Sequence, residues 1–393
     1  MEIDDLHFLL SQTGQGWLKE LGATAVTPDN HLQLAERLRG EVTPSQTHAI
    51  LETILLRQRA GEKFERADEM FFTRPALEQA SAEVVSRYRA ARFHESGFET
   101  VADLGCGIGG DALALAERAA VIGVDRNPVR LAMARENVAV YGSGDAFHPL
   151  QADITEMTPM NAAAVFADPG RRDERGRRIY SVSQYRPSLD VLLSWRRQVP
   201  DMGIKISPGV DYAELPPDGE IEFISVQGEV REGVLWFGRL RRGVQRQATL
   251  LPGKHTLTSG VVSQIPVHGP GRFLYEPDGA VIRAHLVEQL AVRLNAAKIS
   301  EDIAYLTAEA VTPTPFARIF AVEDHFPFQL KRLRRYLRER GIGRVTIKKR
   351  GSPLDPDTLQ KQLRLQGEEH RIVFLTQVQG EPVVIVGVEI TAE

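Results

Sequence analysis

The sequence contains a single cysteine, Cys106, in 393 residues. That count excludes an internal disulfide framework and a multi-thiolate metal centre. Long apolar runs are also missing: no stretch approaches the ~18 uninterrupted apolar residues of a membrane span. The opening "MEIDDLHFLL" is acidic and lacks the basic n-region of a secretory signal, so a reducing, cytoplasmic setting is expected. There is no basic surplus. The formal net charge is −4, and any nucleic-acid partner must be met by a local basic patch. Neither an internal repeat nor a low-complexity tract occurs. The ten histidines are scattered, without a compact His/Asp cluster, and no metal is expected. What remains, 42% hydrophobic and 25% charged residues, is ordinary for a globular chain of two or three domains. Oligomeric state has no signature in the sequence.

Residues 1–92 read as a helical region. "HLQLAERLRG" and "ALEQASAEVVSRYRAARF" place apolar residues three and four apart. "TPSQ" at Thr43 and "TRPALEQ" at Thr73 look like helix starts, each with a Thr cap and a proline in the first turn. From Thr100 the texture changes to short apolar runs between helical ones. "TVADLG", "AVIGVD", "FHPLQAD", "AAVFADP" and "GIKISP" are spaced for crossovers and predict parallel strands. "IEFISVQ" and "VLWFGRL", joined by "GEVREG", predict an antiparallel hairpin. The expected fold over 93–240 is therefore α/β, a doubly wound, seven-stranded, Rossmann-like sheet with helices on both faces. Residues 241–310 are turn-rich and read as a connecting region holding one amphipathic helix, "AVIRAHLVEQLAVRLNA". After Pro313 and Pro315, the segment 311–393 alternates strand and helix again and reads as a small α/β domain.

The run "VADLGCGIGGDAL" puts Asp103 two residues before a glycine cluster at a strand-to-helix junction. Gly105, Gly107, Gly109 and Gly110 fit both GxGxG and GxGxxG spacing, so a dinucleotide is possible on spacing alone. Asp103 and Asp111 argue against it, since dinucleotide phosphates favour a helix start free of negative charge. A carboxylate there suits a ligand carrying an ammonium group. Asp125 closes "VIGVD" 20 residues after Gly105, placed to accept from ribose hydroxyls. Asp153 in "QADITEM" ends the third strand, where it would meet an adenine edge. Acids at three consecutive strand ends converge on one crevice. The plainer alternative is a tight turn with three helix-capping acids.

These stretches resemble the class I S-adenosylmethionine-dependent methyltransferases. "VADLGCGIGGDAL", "VIGVDRNP", "QADITEM" and "VFADPGRR" are similar to their first four motifs, over about residues 93–240. The resemblance implies S-adenosylmethionine as cofactor. Its methionine part would be held by Asp103 with Gly105, Cys106, Gly107 and Gly109, its ribose by Asp125 beside Arg126, and its adenine by Asp153 and Ile154, with Asp168 near the methyl group. The whole chain also resembles a bacterial group with a helical N-terminus and a THUMP-like C-terminal domain. "RADEMFFTRPALEQAS" and "RGSPLDPDTLQKQL" carry that likeness. THUMP domains accompany RNA-modifying enzymes, so RNA is the implied partner.

Asp168-Pro169-Gly170-Arg171 ends the fourth predicted strand. Methyltransferases acting on exocyclic amines often carry here an acid or Asn, two prolines and an aromatic, which orient the NH₂ and stack the base. Orientation of that kind supplies much of the rate. Asp168 and Pro169 keep the pattern; Gly170 and Arg171 replace the second proline and the aromatic, and an arginine plane can stack a base. Pyrimidine C5 methylation needs a thiolate nucleophile, and the one cysteine lies in the cofactor loop, so that chemistry is disfavoured. For substrate contact the sequence offers Arg171, Arg172, Arg175, Arg177 and Arg178 in "GRRDERGRRIYS", and a second basic run from Lys331 to Arg350. Phe71 and Phe72 are candidates to lid the cofactor or stack a base, with core packing as the alternative. Tyr180, Tyr185 and Trp195 are further stacking candidates. The expected activity is methyl transfer to a nitrogen of an RNA base. The alternatives are a cofactor-binding nucleic-acid adapter without catalysis, a methyltransferase acting on a small molecule or protein, and a nicotinamide dehydrogenase.

Overall fold

The computed structural model describes residues 1–27, 29–158, 160–172, 175–177 and 179–391. They divide into two compact units, Met1–Glu220 with Glu232–Gly243, and Ile221–Arg231 with Val244–Glu393. Among the described residues no helix is long and apolar enough to cross a membrane.

The first unit opens with α1 (Ile3–Leu10), α2 (Gln12–Gly22), α3 (His31–Leu38) and α4 (Pro44–Ala60). A capping box starts α4: Thr43 Oγ1 accepts from the Gln46 amide, Gln46 Oε1 accepts from the Thr43 amide, and Pro44 fills the first turn. Leu6, Leu9, Leu18, Leu21, Ile50 and Ile54 are buried, as their helical spacing requires. The run "ALEQASAEVVSRYRAARF", expected as one helix, is instead two: α5 (Arg74–Gln79) and α6 (Glu83–Glu95). Ala80 and Ala82 between them are extended, with ψ 139° and 144°. Lys63 holds the break open. Its Nζ donates to the carbonyls of Leu77 at 2.7 Å, Glu78 at 3.3 Å and Ala80 at 3.0 Å, groups that a helix end leaves without partners.

The sheet follows, through β1 (Thr100–Leu104), α7 (Ala112–Leu115), β2 (Ala120–Asp125), α8 (Pro128–Val140), β3 (Phe147–Gln151), β4 (Ala164–Ala167), α9 (Leu189–Trp195) and β5 (Met202–Ile206). The five strands are parallel in the order β3-β2-β1-β4-β5. Every residue of β4 and β5 is buried, which is why they read as unbroken runs and not as alternations. Strands are added outward in one direction from β1 to β3 and in the other from β4 to β5, and the carboxyl ends at the switch point between β1 and β4 form the crevice where such sheets bind ligands.

β6 (Glu220–Val226) and β7 (Glu229–Trp236) come next, and Gly233–Trp236 pair antiparallel with β5. The expected six-residue link "GEVREG" is not a loop: β7 begins at Glu229. The turn is Gln227-Gly228, with φ 52° and 85°. Two successive left-handed residues give the hairpin turn whose twist matches the flanking strands. The polar residues of Glu229–Glu232 hid the strand from a reading based on apolar runs.

In the second unit Ile221–Val226 pair in parallel with β8 (Arg246–Leu251), which pairs antiparallel with β9 (His255–Thr258). The chain continues through β10 (Phe273–Pro277), α10 (Gly279–Arg283), α11 (Val287–Leu294), β11 (Ala297–Lys298), β12 (Leu306–Ala308), β13 (Ala317–Pro327), α12 (Leu330–Glu339), β14 (Ile342–Lys349), α13 (Pro356–Leu363), β15 (Glu369–Val378) and β16 (Glu381–Ile390). The single helix expected over 280–296 is thus two, broken at His285, where φ is 52°. The bend lets Val281, Leu286 and Leu290 all be fully buried. A seven-stranded sheet runs β11-β12-β10-β13-β16-β15-β14, so the stretch read as a connector supplies three of its strands. β15 shows how it packs. Ile372 and Phe374 join Leu274, Phe320 and Ile385 on one face. Val373 and Leu375 join Leu333 and Leu337 of α12 and Leu359 and Leu363 of α13 on the other.

Candidate active site

The site is built at the strand ends of the first unit. Gly105 follows β1 with φ +82°, and a Cβ there would stand 2.8 Å from the Asp168 carbonyl oxygen, so both backbone angle and space require glycine. Gly107 has φ +55° and open space where a Cβ would be. The acid that closes β2 holds this loop: Asp125 Oδ2 accepts from the Gly107 amide at 3.1 Å and Oδ1 from the Asn127 amide at 2.8 Å. Cys106 is buried, and burial, with the neighbouring Asp103 and Asp125 charges, pushes its thiol well above the ordinary range. Arg126 is exposed and Ile154 buried. Asp153 is exposed two residues beyond β3. Its Oδ1 accepts from the Thr155 hydroxyl at 2.6 Å and amide at 2.9 Å, and these bonds draw its pKa down.

Asp103 differs from the other acids. It is 1% exposed, and neither carboxylate oxygen has a hydrogen-bond partner among the described residues. Burial raises its pKa well above the usual value; the charges of Asp111 and Asp168 add to the rise, while Arg89 and Lys205 oppose it. An uncompensated buried carboxylate is costly, and an ammonium group arriving beside it would supply the missing partner. The donor set fits a ligand that carries one.

Around Asp103 lies a buried charge network that the sequence reading missed. Arg89 of α6 forms ion pairs with Asp111 and with Glu232 of β7, donates to Ser81 Oγ at 2.8 Å, and stacks over Phe166 at 4.7 Å. Lys205 of β5 donates from Nζ to Asp168 Oδ2 at 2.7 Å and Ser81 Oγ at 2.9 Å, with Glu232 3.7 Å away. Ser81 is the residue freed by the break between α5 and α6. Three carboxylates therefore meet buried cations, and Asp103 is left over. The available signal was Lys205, a lysine inside an otherwise apolar strand.

Asp168 is half-buried just beyond β4. Burial pushes its carboxyl up, but Lys205, then Arg171 and Arg89, hold it below the ordinary carboxylate range. Lys205 occupies Oδ2, and Oδ1 lies 3.8 Å from Arg171 Nη2. Pro169 is buried, and Gly170 exchanges backbone hydrogen bonds with Arg186 at 2.8 and 3.1 Å. Arg171, expected to stack a base or meet phosphate, turns inward, donating to the Ile206 carbonyl at 3.0 Å. Arg172, Arg175 and Arg177 are exposed; Arg178 lies outside the described residues.

Phe71 and Phe72, expected to lid the cofactor or stack a base, are core residues at 3% and 0% exposure. Phe72 packs on Phe64, and the Phe71 backbone is clamped by Asn137, whose side chain accepts from its amide at 2.7 Å and donates to its carbonyl at 3.0 Å. Neither ring has a free face. Tyr185 and Trp195 are likewise buried, and only Tyr180 is exposed. Among the described residues no group of three or more His, Cys, Asp or Glu is arranged to hold a metal ion.

Carboxylates at adjacent parallel strand ends, a glycine-rich loop and an unpartnered buried acid define a Rossmann-like α/β protein whose crevice suits a nucleoside bearing a cationic group. Comparison with known proteins is specific on this point. Residues 101–167 match a methyltransferase domain family, residues 317–389 a THUMP domain-like family, and residues 2–60 a domain of unknown function, DUF8688. Two Mycobacterium tuberculosis proteins, from strains CDC 1551 / Oshkosh and ATCC 25618 / H37Rv, are described as uncharacterized S-adenosylmethionine-dependent methyltransferases. Each is 36% identical over 346 residues, covering 84% of this chain and 92% of the relative. A crystal structure from Porphyromonas gingivalis W83, described as a candidate methyltransferase, shares the fold. Its TM-score is 0.76 at 21% identity, over 96% of this chain and 97% of that one. The chain belongs to the S-adenosylmethionine-dependent methyltransferases, and S-adenosylmethionine is its cofactor.

Proposed function

We propose that the chain methylates a nitrogen of an RNA base. The observation that carries this reading is Asp168: a carboxylate kept ionised at the carboxyl end of β4, with Oδ1 not taken by Lys205, followed in sequence by the exposed Arg172 and Arg175. The THUMP domain-like segment at 317–389 and the basic residues of α12 support RNA as the partner.

In this reading Asp103, with Gly105, Cys106, Gly107 and Gly109, holds the methionine part of the cofactor, Asp103 meeting its ammonium. Asp125 binds the ribose beside Arg126, and Asp153 with Ile154 borders the adenine. When bound, the cofactor supplies an electrophilic methyl group on a sulfonium. Asp168 Oδ1 accepts a hydrogen bond from the acceptor N–H and so fixes the direction of the nitrogen lone pair. A carboxylate already neutralised by Lys205 keeps that geometry without reorganising, and orientation of this kind lowers the barrier. Pro169 and the Gly170–Arg186 bridge fix the turn that carries it.

Mass spectrometry of nucleosides from RNA of cells with and without the gene tests the proposal. One N-methylated base should disappear on deletion and return with the wild-type chain but not with Asp168→Ala. An unchanged nucleoside profile rejects RNA as the acceptor.

A further inference from the structure

The first unit carries a cavity of about 470 Å³ that the cofactor site does not use. Four cations line it: Arg59 from the end of α4, Lys63 just beyond, Arg74 at the start of α5, and Arg172. Glu62 and Glu78 also line it and leave a surplus of two positive charges, while Leu56 and Leu77 give it an apolar wall. Its size is in the usual range for a pocket taking a small organic group, about 300–1,000 Å³.

The cations are not equivalent. Lys63 is committed to the carbonyls of Leu77, Glu78 and Ala80, so it builds the wall. Arg59 and Arg74 are exposed and have no side-chain hydrogen-bond or ion-pair partner among the described residues. Two unpartnered guanidinium forks beside an apolar wall are matched to phosphate oxygens and the sugar between them.

The wall is also linked through the chain to the groups around Asp168. Ala80, held by Lys63, leads into Ser81, whose hydroxyl meets Lys205, the partner of Asp168. On the other side Arg172 is joined to Asp168 through three residues, of which Arg171 is anchored inward. The cavity is thus tied to the acceptor-orienting carboxylate by two short paths of chain.

We infer that this cavity grips the phosphodiester backbone of the RNA strand beside the base being methylated, with Arg59 and Arg74 as the phosphate contacts. This role rests on the proposed RNA specificity. The helical segment 2–60, whose family has no known function, would contribute Arg59 and Leu56 to substrate binding.

Fluorescence anisotropy of a labelled mixed-sequence single-stranded RNA, titrated with the full chain at several salt concentrations, tests the inference. The double variant Arg59→Gln/Arg74→Gln should bind roughly tenfold more weakly, with the slope of log affinity against log salt reduced by about 1 to 2. S-adenosylmethionine affinity by calorimetry should stay unchanged, which also reports an intact fold. Arg59→Lys/Arg74→Lys should retain most of the salt slope. Wild-type affinity and slope in the Gln variant would overturn the cavity's role and leave RNA specificity standing. No RNA binding by the wild-type chain would remove both. Displacement of the RNA by a free mononucleotide at equal affinity would assign the cavity to a small ligand instead.

Discussion

Arg89 and Arg335 are both helical arginines facing carboxylates, one inside the first unit and one on the surface of the second. The Arg89 side chain is 2% exposed and pairs with Asp111 and Glu232; that of Arg335 is 73% exposed and lies 3.9 Å from Glu339 one turn on. A buried charge must be matched where it sits, so Arg89 fixes the positions of two acids and of Ser81. An exposed charge is matched by water and salt, so Arg335, like Lys331 and Arg338 beside it, holds little in place and remains free for a partner. The same residue type is architecture in one unit and solvated surface in the other.

The largest effect should follow removal of the buried cation. Arg89→Met leaves Asp111 and Glu232 without their main counter-charge, and stability measured by urea unfolding should fall by about 3–5 kcal/mol. Wild-type stability in that variant would mean the acids find other partners, and the contrast with α12 would break.

A smaller effect is expected at Asp103. With its folded-state pKa raised, the folded chain keeps a proton that the unfolded chain releases. The cofactor-free protein should therefore lose stability as pH rises above the ordinary carboxylate pKa of about 4. Asp103→Asn should flatten that slope in thermal unfolding across pH while weakening S-adenosylmethionine binding. A slope identical to wild type would show that Asp103 is compensated after all.

The smallest effect belongs to the surface. Arg335→Gln should change stability by less than about 0.5 kcal/mol in the same urea assay. A larger loss would mean α12 is held by its charges, and not by Leu333 and Leu337 beneath it.

The strands and the glycine loop were legible because buried parallel strands leave apolar runs and a tight strand-to-helix turn needs glycine. The strand-end acids were legible because ligand-facing residues sit at fixed offsets from those runs. The network behind them was not. Arg89 and Glu232 are 143 residues apart, and Lys205 and Ser81 are 124 apart; nothing local marks them as partners. Arg89 lies in a region that read only as helical, and nothing in its spacing showed that Arg89 and Arg92 are both buried. Phe71 and Phe72 read as either a lid or core, and the contact that holds Phe71 in the core, Asn137 on its backbone, lies 66 residues away in sequence. The broken helices at Ser81 and His285 share one cause. Local propensity favoured continuation, and tertiary contacts, from Lys63 in the first case and from burial of Leu286 in the second, overrode it.

The chain crosses the line between its two units three times, after Glu220, after Arg231 and after Gly243. Neither unit is a contiguous cassette that can be excised by a single cut. A chain ending at 243 would keep the hairpin at 221–231 but lose β8, exposing a bare strand edge of the kind that seeds aggregation. Insolubility of such a fragment would say nothing about whether methyl transfer needs the tail, and the domains of this enzyme are better separated by point substitution than by truncation.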